Sequence, residues 1–390
     1  MKTLHLLTII GSAILVAVIF TLMILEQNFL PSGNFHITKI QKLTDDTKIW
    51  KLIHPINGER EEYVSTEGMD WSYDGRFLAF GVNAGAPVSY LWTMDVTGER
   101  LVPINIPIEF NSISYVHISK NRNSIFFVGQ YNSNNDTYQD IFRYDVNDKT
   151  YSFVTKDSHV RSVGFMQDGN ILYVESHSNS TRLEKNKPIF LIRNYNVLWM
   201  ATSDGHKIKP IYNGTQLFDG ITVNPDGNSI AFVSRDDPLH PSSNGTDIVN
   251  LSLMGGPPTI NNYSYFAIFE VNTKEFTVTE KVNNEDFTSI KWLPDGDHIL
   301  YEKMTHHCVQ DKLPGMQSCP AGLLELMTVS GHSFQVIYGN QAEPYTAPLV
   351  GVIISPDGRS IIFGMNYDYS NGDIDGKGIY QMVFDKPLFK

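Results

Sequence analysis

"ISPDGRSIIFG", residues 354–364, reads as strand, tight turn, strand, and its recurrence along the chain decides the fold. Pro presets φ, Asp hydrogen-bonds backbone amides ahead of it, and Gly accepts the positive φ that closes the hairpin. The pattern returns as "WSYDGRFLAFG" from Trp71, "VNPDGNSIAFV" from Val223 and "WLPDGDHILYE" from Trp292. Two degenerate copies, "ISKNRNSIFFV" from Ile118 and "FMQDGNILYV" from Phe165, complete a set of six. The turn residues Asp74, Asn121, Asp168, Asp226, Asp295 and Asp357 are separated by 47, 47, 58, 69 and 62 residues. A period near 40–50 residues, widened by insertions, indicates a solenoid or propeller.

A second strand pair follows each copy, as in "LWTMDVTGERLVPI" and "IFRYDVNDKTYSFV", so each unit is a four-stranded meander, A-B-C-D. The B strands "FLAF", "SIFFV", "SIAFV" and "SIIF" are apolar at consecutive positions, which requires burial of both sheet faces. Stacked blades bury both faces, whereas a sandwich leaves one wet. The expectation is an all-β, six-bladed β-propeller of four-stranded antiparallel blades over residues 48–390. "IWKLIHPINGEREEYV", Ile49–Val64, reads as one more C–D hairpin, which either closes the ring against the carboxy-terminal blade or belongs to a seventh blade.

The Pro-Asp-Gly hairpin followed by an Ile-Ala-Phe strand, as in "SIAFVSRDD" after Asp226, resembles the WD40-like repeat of TolB-type β-propellers. Propeller domains of prolyl oligopeptidase and dipeptidyl peptidase relatives share this repeat. The resemblance spans roughly residues 60–390 and implies a fold. It does not imply one function, because the repeat serves partner-binding proteins and enzyme accessory domains alike.

The amino terminus is of another kind. Leu6–Leu25, "LLTIIGSAILVAVIFTLMIL", is 20 residues without a charge, long enough at about 1.5 Å per residue to cross about 30 Å of hydrocarbon. It reads as a transmembrane anchor; the alternative is a cleaved signal peptide, though the apolar run exceeds the usual ~7–15 residues and no A-x-A-like site follows. Lys2 before the span and Glu26 after it place residues 1–5 in the cytoplasm and the bulk of the chain on the extracytoplasmic side. Residues 26–47 then read as a linker.

Cys308 and Cys319, the only cysteines, lie in "HHCVQDKLPGMQSCP". A disulfide would close a loop of about ten residues; a zinc site with His306 and His307, or free thiols, are the alternatives. N-x-[ST] sequons at Asn135, Asn179, Asn213, Asn244, Asn250 and Asn262 are glycosylation candidates on an exported chain. The net charge of −12 and the lack of any Lys/Arg run argue against a nucleic-acid partner.

With this strand order, the A–B turns lie on one face and the B–C and D–A loops on the other. The A–B turns are short, while B–C segments lengthen markedly in the third, fourth and fifth units. Long loops on a rigid scaffold are the usual place for binding, so the B–C/D–A face is the expected working face, for a protein or glycan partner. The D–A loops carry Glu67, Asp157, His159, Asp219, Asp286 and Glu343 toward the axis. Such a ring could hold a divalent cation in the channel, as in metal-dependent propeller lactonases, and supports an alternative function as a metal-dependent hydrolase or lyase. The competing role for an Asp at Asp219 is service to the turn backbone. "NGDIDGKG" places Asn371, Asp373 and Asp375 ahead of Gly376 in the order of a calcium loop, but without the acidic ligands at its ninth and twelfth positions, and a solvated Asn-Gly turn is the other reading. No G-x-S-x-G elbow, P-loop or Rossmann fingerprint is present.

Overall fold

The six turn residues do the same job in each repeat. A side-chain oxygen accepts the amide two residues on: Asp74 from Arg76 at 3.4 Å, Asn121 from Asn123 at 3.1 Å, Asp168 from Asn170 at 2.9 Å. Asp226 takes Asn228 at 2.8 Å, Asp295 takes Asp297 at 3.0 Å and Asp357 takes Arg359 at 3.0 Å. The next residue adopts a left-handed φ, which Gly supplies in five copies and Arg122, at φ 60°, in the sixth. The degenerate copy therefore keeps the turn and accepts the steric cost of a Cβ.

The structure, a computed structural model, describes residues 35–45, 65–83, 89–133, 136–182, 189–235, 237–239, 246–250, 263–283, 285–305, 309–310, 317–318, 321–329, 333–338, 349–365, 370–371, 374–375 and 378–389. The A, B, C and D strands of blade 1 are Ser65–Trp71, Phe77–Asn83, Ser89–Asp95 and Val102–Ile104. Those of blade 2 are Ser112–Ile118, Ser124–Ser133, Asp136–Asp145 and Thr150–Phe153. Blade 3 comprises Val160–Phe165, Ile171–Arg182, Ile189–Ala201 and Lys207–Gly214. Blade 4 comprises Asp219–Val223, Ser229–Ser234, Tyr263–Glu270 and Phe276–Asn283. Blade 5 comprises Glu285–Trp292, His298–Thr305, Ala321–Thr328 and Ser333–Tyr338. Blade 6 has Val350–Ile354, Ser360–Met365 and Gly378–Phe384 from the carboxy terminus. Every ladder is antiparallel, and the A strands contact one another in cyclic order around a central channel.

The fourth strand of blade 6 comes from the other end of the chain. Ile37–Asp45 pairs antiparallel with Gly378–Phe384, from Ile37↔Phe384 to Asp45↔Gly378. The propeller thus begins at Ile37, inside the segment that the sequence assigns to a linker. Ile37–Asp45 lacks the long apolar run of a B strand, because an outermost strand has one exposed side, and nothing local marks it. The Ile49–Val64 hairpin lies outside the described residues. So does the Leu6–Leu25 span; among the described residues no helix is long and apolar enough to cross a membrane.

Packing explains the consecutive apolar runs. All six residues of Ser360–Met365 are buried, as are five of six in Ser229–Ser234. Each large apolar cluster joins neighbouring blades: Trp71, Phe80 and Trp92 of blade 1 meet Ile353, Ile362 and Ile379 of blade 6. Polar ties cross the same seams. The Asp74 carboxylate of blade 1 meets Arg122 of blade 2 at 2.6 Å, and Asp70 Oδ2 accepts the Ile118 amide at 2.8 Å.

Candidate functional site

The innermost strand of every blade carries a bulge. Register shifts fall between Glu67 and Met69, Ser114 and His117, Val160 and Ser162, Asp219 and Thr222, Thr288 and Lys291, and Val350 and Ile353. In three blades the bulged residue is a left-handed glycine, Gly68, Gly220 or Gly351, six positions before the turn Asp. Blades 2 and 5 put Tyr115 (φ 50°) and Ser289 (φ 52°) in that position. Bulges re-aim side chains, and a non-glycine residue held at positive φ stores backbone strain. A Cβ on Gly68 would meet the Tyr115 nitrogen at 2.5 Å, so the bulges of blades 1 and 2 are in close contact. A Cβ on Gly220 would meet nothing within 4 Å. The ring of bulges is therefore closed on one side and open on the other.

At the open side, between blades 4 and 5, lies a cavity of about 330 Å³ lined by Asp219, Gly220, Val233, Arg235, Asp286, Phe287, Thr288, Ser289 and Ile290. Asp219 and Asp286 stand at the amino-terminal ends of A strands and Arg235 just past the end of a B strand, which puts the mouth on the B–C/D–A face. The two carboxylates do not converge on a common point. Arg161 of blade 3 grips Asp219 through Nε and, at 3.0 Å, through Nη2. Arg235 meets Asp286 through one nitrogen at 3.5 Å. Burial first, and the Asp219 carboxylate second, push the Tyr115 phenol up to about 12, while a Gly220 backbone hydrogen bond and Arg161 oppose the rise. Three successive blades thus meet at Asp219.

Deeper in the channel, Asp70 Oδ2 lies 2.8 Å from His117 Nδ1, and the His117 ring stacks on Phe165 at 4.2 Å. Burial lowers the Lys291 ammonium below its ordinary value against the opposing pull of Asp70. Behind the cavity wall, Thr288 donates to the fully buried Glu302 at 2.7 Å, and the other carboxylate oxygen accepts the Leu349 amide at 2.6 Å. Burial pushes Glu302 up to about 7 despite both bonds.

Of the axial residues expected from sequence, Asp219 and Asp286 border one cavity, each matched with an arginine. Asp157 donates its amide to the buried Asp140 at 3.0 Å, and His159 stacks on Tyr138 at 5.8 Å, so both belong to the loop between blades 2 and 3. Glu343 and the Glu67 side chain lie outside the described residues. Among the described residues no group of three or more His, Cys, Asp or Glu could hold a metal ion. Asn371 pairs with Ile374 and Ser370 with Asp375 in a small hairpin, which is the backbone of a tight turn; Asp373 lies outside the described residues. His306, His307, Cys308 and Cys319 lie outside them too, as do Asn135, Asn244 and Asn262. Asn213 is exposed on the D strand of blade 3, and Asn179 and Asn250 sit in paired strands. Arg161, Arg235, Tyr115 and Ser289 escaped the sequence reading. The last two had a signal, as non-glycine residues where three other repeats have Gly.

No protein-family model matches the chain, and no curated protein does. Among solved structures, the oligogalacturonate lyase of Vibrio parahaemolyticus is 11% identical over 90% of this chain and 96% of its own, with a TM-score of 0.49. An oligogalacturonate lyase in complex with manganese is 11% identical over 90% and 95%, with a TM-score of 0.48. TolB from Acinetobacter baumannii is 11% identical over 87% of this chain and 68% of its own, with a TM-score of 0.45. The blade count and strand order rest on the sheets themselves: the chain is a six-bladed β-propeller whose repeated hairpin resembles that of TolB-like propellers.

Proposed function

We propose that this chain is a membrane-anchored, extracytoplasmic propeller that serves as a binding or scaffold module of the cell envelope, with its partner, a protein or glycan, received on the B–C/D–A face. One observation carries this. The B and C strands of blade 3, 12 and 13 residues long, run past the blade, and Thr246–Asn250 from the B–C insertion of blade 4 pairs with the extension of the C strand from Ile189↔Asn250 to Arg193↔Thr246. Two insertions from neighbouring blades knit into one sheet through a defined antiparallel register. Independent decorations of a loop would need no shared ladder. The anchor, the cysteine pair and the sequons support the extracytoplasmic side; all six sequons fall in B–C segments or at the D–A end of a D strand.

The test is surface cross-linking of the full chain in native membranes, followed by purification, beside a variant with residues 240–262 replaced by a short Gly-Ser linker. A stoichiometric partner retained by the parent and lost from the variant is the expected result. Equal recovery from both would remove the raised sheet from the binding face. A tightly held divalent metal together with turnover of a glycan would favour the hydrolase or lyase alternative.

A further inference from the structure

Tyr301 reaches across the seam between blades 4 and 5 with a single hydroxyl that faces two carboxylates. Its oxygen lies 2.8 Å from Glu325 Oε2 and 3.1 Å from Glu280 Oε2. Glu325 stands directly opposite Tyr301 in the B–C ladder of blade 5, whereas Glu280 belongs to the D strand of blade 4. Phe266 and Phe287 pack on the Tyr301 ring at 5.2 and 5.7 Å, and Tyr301 and Glu325 are both buried, so the contact is screened from water. A phenol has one proton to donate. With both carboxylates ionised, that proton would have to serve two anions at once, or one contact would set lone pairs against lone pairs. With Glu325 protonated, both contacts become hydrogen bonds: Glu325 donates to the Tyr301 oxygen, and Tyr301 donates to Glu280.

The surrounding charges lead to the same place. Lys303 of the B strand is the one cation of the group, 2.8 Å from Glu280 and 3.5 Å from Glu285 at the start of the A strand. Val336, opposite Glu325 on the D strand, is uncharged, and Glu302 bonds Thr288 and the Leu349 amide instead. Three carboxylates around one ammonium leave two negative charges in excess, and a proton on Glu325 removes one of them. Because Lys303 sits on Glu280, the charge belongs to Glu280 and the proton to Glu325. Burial raises the Glu325 carboxyl above its ordinary value, and Glu280 and Glu285 add to the rise against the Tyr301 bond and Lys303. Lys303 also pairs in the ladder with Phe287, which lines the cavity between the same two blades.

We propose that Glu325 is a protonated acid at neutral pH and that its proton latches blade 5 to blade 4 through Tyr301, so that this seam tightens in acid and loosens as the proton leaves. The folded chain holds the proton more tightly than the unfolded one. The latch is therefore complete below about pH 4.5 and is lost as pH rises through the raised value.

The experiment uses the full chain in detergent micelles carrying Glu302→Gln, which removes the other raised carboxyl. Infrared spectra at pH 6, where ordinary carboxyls are ionised, should show the carbonyl band of one protonated acid, and the band should fade as pH rises to 9. Glu325→Gln should abolish it, because the amide keeps a donor toward Tyr301 without a titrating proton. Glu280→Gln should abolish it too: the phenol proton is then free to serve Glu325, and Lys303 loses its nearest competing carboxylate. Amide exchange in residues 276–283 should match in the Glu302→Gln protein and its Glu325→Gln derivative at pH 6, and run severalfold faster in the former at pH 9. Absence of the band at pH 6, or its survival in Glu325→Gln, would overturn the assignment of the proton. A band that survives Glu280→Gln would mean that burial alone holds the proton, and equal exchange at pH 9 that the proton holds no seam; either would overturn the latch. Should Glu325→Gln fail to fold, the band and its response to Glu280→Gln still decide.

Discussion

Glu302 ties two parts of the propeller together from a position without water. Its two oxygens hold Thr288 in the A strand of blade 5 and the Leu349 amide at the entrance to blade 6. Burial disfavours the charged form more than those two bonds favour it, so the carboxyl rises from 4.5 to about 7. The folded state therefore holds the Glu302 proton more tightly than the unfolded chain does. Its contribution to stability is fully present below about pH 4.5 and is lost as pH rises through 7, a change of about 3 kcal/mol at most. Glu302→Gln keeps an acceptor and a similar shape without the charge. The difference in Tm between variant and parent should be small at pH 5 and should favour the variant by several degrees at pH 8. A parallel pair of Tm–pH profiles would show instead that Glu302 is ionised throughout. None of this is visible in "LYEKM", where Glu302 occupies an ordinary strand position. Its environment is made by residues 14 and 47 positions away.

At the scale of elements, what was legible depended on how local its cause is. The A–B hairpins were read correctly because Asp, Gly and the flanking apolar run lie within eleven residues. The closing strand Ile37–Asp45 was not, because its partner is more than 300 residues away and only the ladder identifies it. The B–C segments of blades 3 and 4 were legible as long insertions, but their shared sheet was not, since strand pairing between two loops leaves no periodic mark in either. The B–C segment of blade 5 joins a sequence expectation to a ladder. Val309 pairs with Ser318 and Gln310 with Gln317, and Val309 and Ser318 are the chain neighbours of Cys308 and Cys319. A ladder that brings residues 309 and 318 side by side favours a disulfide over a zinc site with His306 and His307. Peptide mapping without reductant should recover a linked 308–319 pair, with an intact mass 2 Da below the reduced chain's on the order expected for one bond. Reduction should cost about 2–3 kcal/mol by the entropy of a loop of about ten residues. Two alkylatable thiols in the untreated protein would leave the chain without this bond.

For the whole molecule, ring closure is the quantity that decides stability. A propeller without its last ladder has an open edge on one blade and a seam that only side-chain packing resists. Here the seam is bridged within blade 6, where seven residues of Ile37–Asp45 find partners on Gly378–Phe384 and Leu43 packs into the cluster shared by blades 1 and 6. The turn of blade 1 is fitted to that same strand: a Cβ on Gly98 would meet the Leu43 carbonyl oxygen at 2.1 Å. At about 0.5–1.5 kcal/mol for each backbone hydrogen bond, the ladder is worth on the order of 4–10 kcal/mol, comparable with the net stability of about 5–15 kcal/mol of a folded domain. Two truncations separate this from any contribution of the amino terminus. A chain starting at residue 35 keeps the strand and should melt cooperatively as a soluble monomer. A chain starting at residue 48, where the sequence alone would place the domain boundary, exposes the Gly378–Phe384 edge. It should lose more than ten degrees of Tm or aggregate through that unpaired strand. Supplying the 35–47 peptide in trans should restore part of the loss, because it binds only the folded ring. Indistinguishable melting of the two truncations would mean that blade packing alone holds the ring, and the amino-terminal strand would then be an ornament on blade 6 rather than its fastening.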